Sequence, residues 1–302
     1  MISGINIWTN QEVDALFTAA DLAHVHPGWA GDVETLGPLI MSTATSTCGR
    51  HYAVEHADAE TTVLIVQECA STMDLAAELT AQGILPEWGG VLAVRQTEGR
   101  GQLRRAWSSQ PGNLHVSYLL PSLPSDSPWN RLLPLVLGWC VCQSFSRLGA
   151  DLMLKWPNDL IQNQDGVLRK ICGLLIEDRG RVVVAGTGVN LYHAPTDDDL
   201  RSHFLFPAGI IQFLSASSGP LGLWQTLVKF MKIEYESLLI QSNPLDFIAR
   251  LSHRLLWMGE EVSLREGAGS RRGRLLGLSV DGGLRFLSGG EESTIYSGSL
   301  AR

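Results

Sequence analysis

Gly99 to Trp107 reads GRGQLRRAW, and the reading of the chain turns on this stretch. Three arginines and two glycines fall within nine residues that close on a tryptophan. The preceding VLAVR, Val91 to Arg95, has the apolar, β-branched character of a strand, so the stretch leaves a strand end as a loop. Glycines let a backbone turn tightly and bring its N–H groups close to an oxyanion. Arginine offers forked donors that match phosphate or carboxylate, and tryptophan offers a flat face for a ring. The stretch suits an anionic ligand with an aromatic part, such as an activated nucleotide. A solvated basic turn is the plain alternative, because short glycine-rich matches are common.

Outward from the loop the pattern is orderly. TTVLIVQ (Thr61 to Gln67) reads as a strand, and Ser71-Thr72-Met73-Asp74 precedes the helical LAAELTAQG, which ends at Gly83. Ser71 or Thr72 is the expected N-cap. NLHVSYLL (Asn113 to Leu120) reads as a strand and Trp129 to Leu148 as a long apolar helix. LMLKW, ICGLLIED and RVVVAGTGVN read as strands, the last two joined by a hairpin-like link at Asp178-Arg179-Gly180-Arg181. Helices are expected over Leu223 to Ile240 and Pro244 to Trp257. From Gly259 short β-like runs alternate with glycine turns, as in a small antiparallel barrel. Adjacent strands with helices in separate blocks predict an α+β fold. Three segments follow: an acidic extension over 1–60, a main domain over 61–257 and a small β domain over 258–302.

Charge narrows the function. The net charge is −8, and residues 1–60 carry eight acids against one base, Arg50. Such a segment does not suit DNA, whose binding depends on neutralising phosphates. It holds a helix candidate (Gln11 to Ala23) and a loop-like MSTATSTCGR, and shows no pair of short helices with bases on the second. The five cysteines form no CxxC pair, which predicts free thiols in a reducing cytosol. No signal peptide is visible. The most apolar run, Leu132 to Cys142, is too short to span a bilayer. A cytoplasmic protein away from membranes is the expectation.

Three further elements carry chemistry. KWPND (Lys155 to Asp159) ends a strand, and its proline forces an extended turn on which lysine, asparagine and aspartate converge. An Asx turn accounts for Asn158 and Asp159 but gives no reason for Lys155. Lys170 opens an apolar strand with Gly173 close behind. It reads either as an edge-strand guard or as an ammonium projecting into a cleft. GTGVN (Gly186 to Asn190) is a glycine-rich strand end of the kind that permits close approach.

In this order, Ser71-Thr72, GRGQLRRAW, KWPND, Lys170 with GLLIE, and GTGVN, these elements resemble the biotin–protein ligase family. The tail GEEVSL…GRLLGLSVDGGLRFL…YSG looks like that family's small SH3-like domain. The resemblance runs from about Thr61 to the C-terminus. It implies a class II synthetase-like catalytic domain of mixed sheet and helices. It also implies a two-step reaction: biotin attacks the α-phosphorus of ATP, Mg²⁺ assisting, and the biotinyl-5′-adenylate is then captured by a lysine of a biotin carboxyl carrier protein. Residue by residue, Ser71, Thr72, Gln96, Gly99, Arg100, Gly101, Gln102, Lys170 and Gly186 match biotin-binding positions. Arg100, Arg105, Trp107, Lys155, Asn158, Gly188 and Asn190 match nucleotide positions. Lys170, Arg100 and Asp159 carry the catalytic assignment, with Asp159 near the incoming carrier lysine. No protein metal ligand is assigned, and a homodimer is an expectation from the family. Gln102 and Arg104 depart from the family's loop, as do Ala70 and Met73 around Ser71-Thr72. The other readings are a lipoate or octanoate ligase or transferase of the same superfamily, a bifunctional ligase and repressor, and a catalytically dead binding module.

Overall fold

The structure, a computed structural model, describes residues 2–9, 17–36, 39–41, 50–54, 61–180, 182–196, 206–213, 219–267 and 269–302. Its strands in chain order are β1 (Ile5–Thr9), β2 (Leu39–Met41), β3 (Arg50–Val54), β4 (Val63–Cys69), β5 (Gly90–Gln96), β6 (Leu114–Leu120), β7 (Met153–Lys155), β8 (Asp159–Gln164), β9 (Val167–Asp178), β10 (Val183–Val189), β11 (Glu261–Glu266), β12 (Gly269–Leu278), β13 (Leu284–Ser288), β14 (Glu291–Ile295) and β15 (Ser299–Ala301). The helices are α1 (Ala19–Val25), α2 (Pro27–Thr35), α3 (Thr72–Ala81), α4 (Leu133–Arg147), α5 (Pro220–Gln241) and α6 (Pro244–Ser252). The chain divides into two compact units. The first comprises Met1–Ser122, Leu174–His193 and Ser215–Lys229, and the second Leu123–Gly173, Ala194–Leu214 and Phe230–Arg302.

The first unit is built on strands in the order β2-β3-β1-β4-β5-β6-β10. The β1–β4 and β4–β5 pairs are parallel and the others antiparallel, which makes the sheet mixed as expected. Its centre is apolar: Ile65, Val91 and Leu92 are fully buried, and Tyr118 packs against Trp224 with ring centroids 4.7 Å apart. The acidic N-terminal segment is woven into this sheet, β1 pairing with β4 from Ile5↔Val63 to Trp8↔Val66. Of the helix expected over Gln11 to Ala23, residues 11–16 lie outside the described residues, and α1 begins at Ala19. The segment does contain two short helices, α1 and α2, with only His26 between them. The second, PGWAGDVET, carries acids and no base. Its Asp32 is 3% exposed and accepts the backbone N–H groups of Leu221 (2.7 Å) and Gly222 (3.0 Å) at the start of α5. A carboxylate there answers the unpaired N–H groups and the positive end of the helix dipole.

The second unit contains the antiparallel run β7, β8 and the first half of β9, with α4 and α6. β8 is absent from the sequence reading, which placed Asn158 and Asp159 in a turn and assigned no element to residues 160–164. The segment from Pro207 is tied to this sheet: Lys170 N–H donates to Pro207 O at 2.8 Å, and Gly209 N–H to Lys170 O at 3.0 Å. Gln164 and Gln162 donate to the carbonyls of Ile210 and Gln212. Residues 214–218 lie outside the described residues. The C-terminal tail forms a five-stranded antiparallel sheet in the order β14-β13-β12-β11-β15. The sequence pattern predicted a small barrel, and the strands hydrogen-bond as one open order from β14 to β15.

Candidate active site

In the first unit a neutral polar cluster forms where β4 passes into α3. Ser71 occupies the N-cap of α3, yet its side chain makes no capping hydrogen bond. Its Oγ is buried and has no partner among the described residues. A buried hydroxyl without a partner is costly unless a ligand supplies one. Next to it, Thr72 N–H and Oγ1–H reach Gln96 Oε1 at 2.9 and 3.0 Å, and Thr72 Oγ1 lies 2.7 Å from Ser117 Oγ. Gln96 Nε2 donates to Ser109 Oγ at 3.1 Å. Gly186 leaves room beside this cluster: a Cβ there would lie 2.9 Å from Met73 Sδ and 3.4 Å from Ser117 Oγ.

The Gly99 loop closes on itself. Gly101 N–H donates to Arg105 O at 2.7 Å, and Trp107 N–H to Gly99 O at 2.8 Å. The left-handed residue is Leu103, at φ 57°, rather than Arg104. The tight turn thus falls one position before Arg104, one of the two departures from the family's loop. Gln102 lies in the short helical turn Gln102–Arg104, and of Arg104 only the backbone is described. Leu103 and Arg105 are exposed. Arg100 sits in a ring of alternating charge. Its two terminal nitrogens each lie 2.6 Å from an oxygen of Asp74, and its Nε lies 3.4 Å from Glu177 Oε1. Arg179 bridges Asp74 (2.8 Å) and Glu177, closing the ring. The two guanidinium hydrogen bonds hold the Asp74 carboxyl at about 2, against a desolvation that acts the other way. Trp107 lies against Gly188, where a Cβ would come within 2.5 Å of the indole.

The second unit holds the charged group. Asp159 Oδ1 lies 2.7 Å from Lys170 Nζ, and its Oδ2 lies 3.6 Å from Lys155 Nζ. Lys155 is buried and its ammonium lies 5.3 Å from the Phe206 ring centroid. Burial pushes the Asp159 carboxyl up, but the two lysines pull it down further, so it is held below the usual carboxylate range. The register of the sheet brings this about: Lys155 pairs with Asp159 across the β7–β8 turn, and Asp159 pairs with Gly173 on β9. The KWPND turn is pinned by Trp156, whose Nε1–H donates to Gly282 O at 3.2 Å. Asn158 lies within the turn, and Asn190 is 3% exposed at the end of β10.

The structure thus gathers Ser71, Thr72, Gln96 and Gly186 in one cluster, and Lys155, Asp159 and Lys170 in another. It places Arg100 with Asp74, Glu177 and Arg179. Sequence reading missed the residues that complete these groups: Ser117, Ser109, Glu177, Arg179 and the part played by Asp74. Among the described residues no group of three or more His, Cys, Asp or Glu side chains is arranged to hold a metal ion.

The chain resembles known proteins over the span that holds these residues. Residues 65–191 match the biotin/lipoate A/B protein ligase family, a span that contains both clusters. The bifunctional ligase/repressor BirA of Bacillus subtilis is 28% identical over 256 residues, covering 78% of this chain and 73% of that protein. The biotin–[acetyl-CoA-carboxylase] ligase of Mycobacterium tuberculosis is 29% identical over 154 residues, about half of either chain. Among solved structures, the biotin protein ligase from Aquifex aeolicus in complex with biotin and ATP superposes with a TM-score of 0.63. It is 27% identical and covers 80% of this chain and 97% of that one. The chain therefore carries a domain of the biotin/lipoate A/B protein ligase family over residues 65–191.

Proposed function

We propose that this protein is an ATP-dependent biotin–protein ligase that works through biotinyl-5′-adenylate. In the first step an oxygen of the biotin carboxylate bonds to the α-phosphorus of ATP and pyrophosphate leaves. In the second, the neutral amine of a carrier-domain lysine bonds to the activated carbonyl, AMP leaves, and the amine gives up a proton. The observation that carries the reading is the unpartnered Ser71 hydroxyl within the neutral Thr72–Gln96–Ser117 cluster. Hydroxyls and a carboxamide suit a neutral, hydrogen-bonding head group such as the biotin ureido ring. The dithiolane of lipoate or the chain of octanoate would leave these groups unpaired, which costs far more than a lost methylene contact. The same groups argue for ligand binding, and the lysines argue for catalysis rather than a dead binding module.

Lys170 and Lys155 take the anionic part of the chemistry. Adenylation brings a carboxylate against a triphosphate, and preorganised cations offset that repulsion and the charge that develops in the transition state. Asp159 orients both ammonium groups. Its depressed basicity fits this positioning role better than proton abstraction from the carrier lysine. Trp107 is assigned to the adenine ring, and Gly99, Gly101, Gly188, Asn158 and Asn190 to the phosphates and ribose. Arg105 is assigned to the phosphates, and Arg100 joins it only by exchanging Asp74 for a phosphate. Mg²⁺ belongs to the triphosphate in this reading, held by its oxygens and water.

The acceptor is a carboxyl carrier domain. The reading places the enzyme in the cytoplasm as a homodimer without a DNA-binding role. The acids of residues 1–60, and α2 without a base, support the last point. No helix among the described residues is long and apolar enough to cross a membrane. The deciding experiment supplies ATP, Mg²⁺, a carrier domain and labelled biotin, lipoate or octanoate in parallel. Label from biotin on the carrier is the expected result. Transfer of lipoate or octanoate in its place would overturn the reading, and a salt-sensitive shift of a DNA fragment would restore the repressor alternative.

A further inference from the structure

The strand β6 is buried throughout, yet it and its leading residue carry polar side chains at every second position: Asn113, His115 and Ser117 are 2%, 1% and 1% exposed. Spacing by two puts them on one face. On the neighbouring β10, Ser117 pairs with Gly186 and His115 with Gly188. His115 and Ser117 therefore each stand beside a glycine gap on the same face. The first gap is bordered by Met73 and the Ser71–Thr72 cluster. The second is filled by Trp107, whose Nε1, Cε2 and Cζ2 edge would collide with any Cβ at residue 188.

The Trp107 indole N–H can only donate, and it points to His115 Nδ1 at 3.3 Å. His115 Nε2 lies 3.2 Å from Gln110 O, so that nitrogen carries the proton and donates it. Both ring nitrogens are used, and the imidazole has one tautomer that satisfies them. Burial keeps it neutral, pushing its pKa down to about 4. Gln110 follows Trp107 by three residues, so one histidine holds the loop at its backbone and at its indole edge.

We infer that His115 is a positioning residue for the nucleotide half of the site, fixing the Trp107 indole against Gly188 so that its plane is set before a ligand ring arrives. This rests on the assignment of Trp107 to adenine made above. An aromatic contact repays its geometry only when the ring is already oriented, since ordering a loose side chain consumes binding energy.

The test has two arms. In the first, ¹H–¹⁵N spectra locate the Trp107 indole N–H, identified by its loss in Trp107→Phe. His115→Phe shifts that resonance upfield, and His115→Asn, which keeps an acceptor near the Nδ1 position, restores most of the shift. In the second, ATP and biotin binding are measured separately by calorimetry. His115→Phe weakens ATP about tenfold and changes biotin by less than about twofold, as expected for loss of one oriented ring contact. In a Trp107→Phe background the same substitution has no further effect on ATP. An unmoved indole resonance overturns the inference. So does equal weakening of both ligands, or a penalty that persists without the indole, since either marks a merely structural histidine. A wild type that binds biotin but no ATP, with the indole shift intact, overturns the nucleotide role while leaving the hydrogen bond in place. Failure to bind biotin as well would overturn the ligase reading itself.

Discussion

Two ion clusters in this protein are made of similar parts and do different work. The ring Arg100–Asp74–Arg179–Glu177 balances two cations with two carboxylates, and Asp74 is half exposed. The group Lys155–Asp159–Lys170 sets two ammonium ions on one carboxylate that is 18% exposed, with Lys155 at 6%. In the ring every charge is answered by a neighbour at the surface, where water and salt screen the attraction. In the second cluster one acid is shared by two lysines away from bulk solvent, where screening is weak and loss of a partner is expensive. The first arrangement suits the anchoring of a loop. The second suits the presentation of cations to an anionic substrate.

The comparison breaks most visibly at Lys170. Lys170→Ala is expected to slow biotinyl-adenylate formation by roughly a hundred- to a thousandfold, the usual cost of removing one preorganised transition-state donor. Pyrophosphate release measured without carrier checks this, and full adenylation by the variant would remove Lys170 from the chemistry. Next comes Asp159. Asp159→Asn leaves Lys155 and Lys170 without their shared carboxylate and is expected to cost about 3 kcal/mol of stability by urea titration. The pH dependence has a definite sign. A carboxyl whose pKa is lowered in the folded state adds stability that is fully present above its unfolded value and is lost as pH falls through the folded one. The gap between wild type and Asp159→Asn therefore narrows below about pH 4, where carboxylates begin to protonate. A gap that widens on acidification would mean that the lysines do not hold this carboxylate.

The neutral cluster of the first unit gives a contrast without charge. Ser71→Ala removes a buried hydroxyl that has no protein partner. It is expected to leave stability unchanged or slightly raised, since an unpaired polar group goes with it. The KM for biotin is expected to rise about tenfold, one lost ligand hydrogen bond, with the KM for ATP unaffected. A drop in melting temperature with both KM values unchanged would make Ser71 an ordinary helix cap.

How much of this was legible in the sequence follows the same division. Strands β4, β5 and β6 and helices α3 and α4 announce themselves by apolar period and length, and KWPND and GTGVN mark the ends of strands. The lysines and the Ser71–Thr72–Gln96 set were named from motif order. What escaped depends on register. Asn113, His115 and Ser117 alternate visibly in NLHVSYLL, and Gly186 and Gly188 are also two apart. Nothing in the sequence says that Ser117 faces Gly186 or that His115 faces Gly188. Glu177 read only as the end of a strand and Arg179 as hairpin punctuation for the same reason, because Arg100 lies 77 residues from Glu177 and Asp74 lies 105 from Arg179, in no local pattern but adjacent in space. The N-terminal strands were illegible because β1 finds its parallel partner β4 only after more than fifty intervening residues.

The smallest effect is the sharpest test of the comparison. Asp74→Asn removes the carboxylate that both arginines of the ring share. At half exposure the loss is expected to stay below about 1 kcal/mol at low salt. It should fade near 1 M salt, where the screening length drops to about 3 Å. The cost of Asp159→Asn should persist under the same conditions, because salt does not reach a buried pair. The folded loop keeps its own closures at Gly101–Arg105 and Gly99–Trp107, so Asp74→Asn need not unfold it. Freed from Asp74, Arg100 retains only the longer contact to Glu177 and becomes available to a phosphate. Adenylate formation by Asp74→Asn should then equal or exceed that of the wild type. A loss of adenylation as large as that of Lys170→Ala would show that the ring is part of the chemistry rather than an anchor, and the distinction between the two clusters would fall.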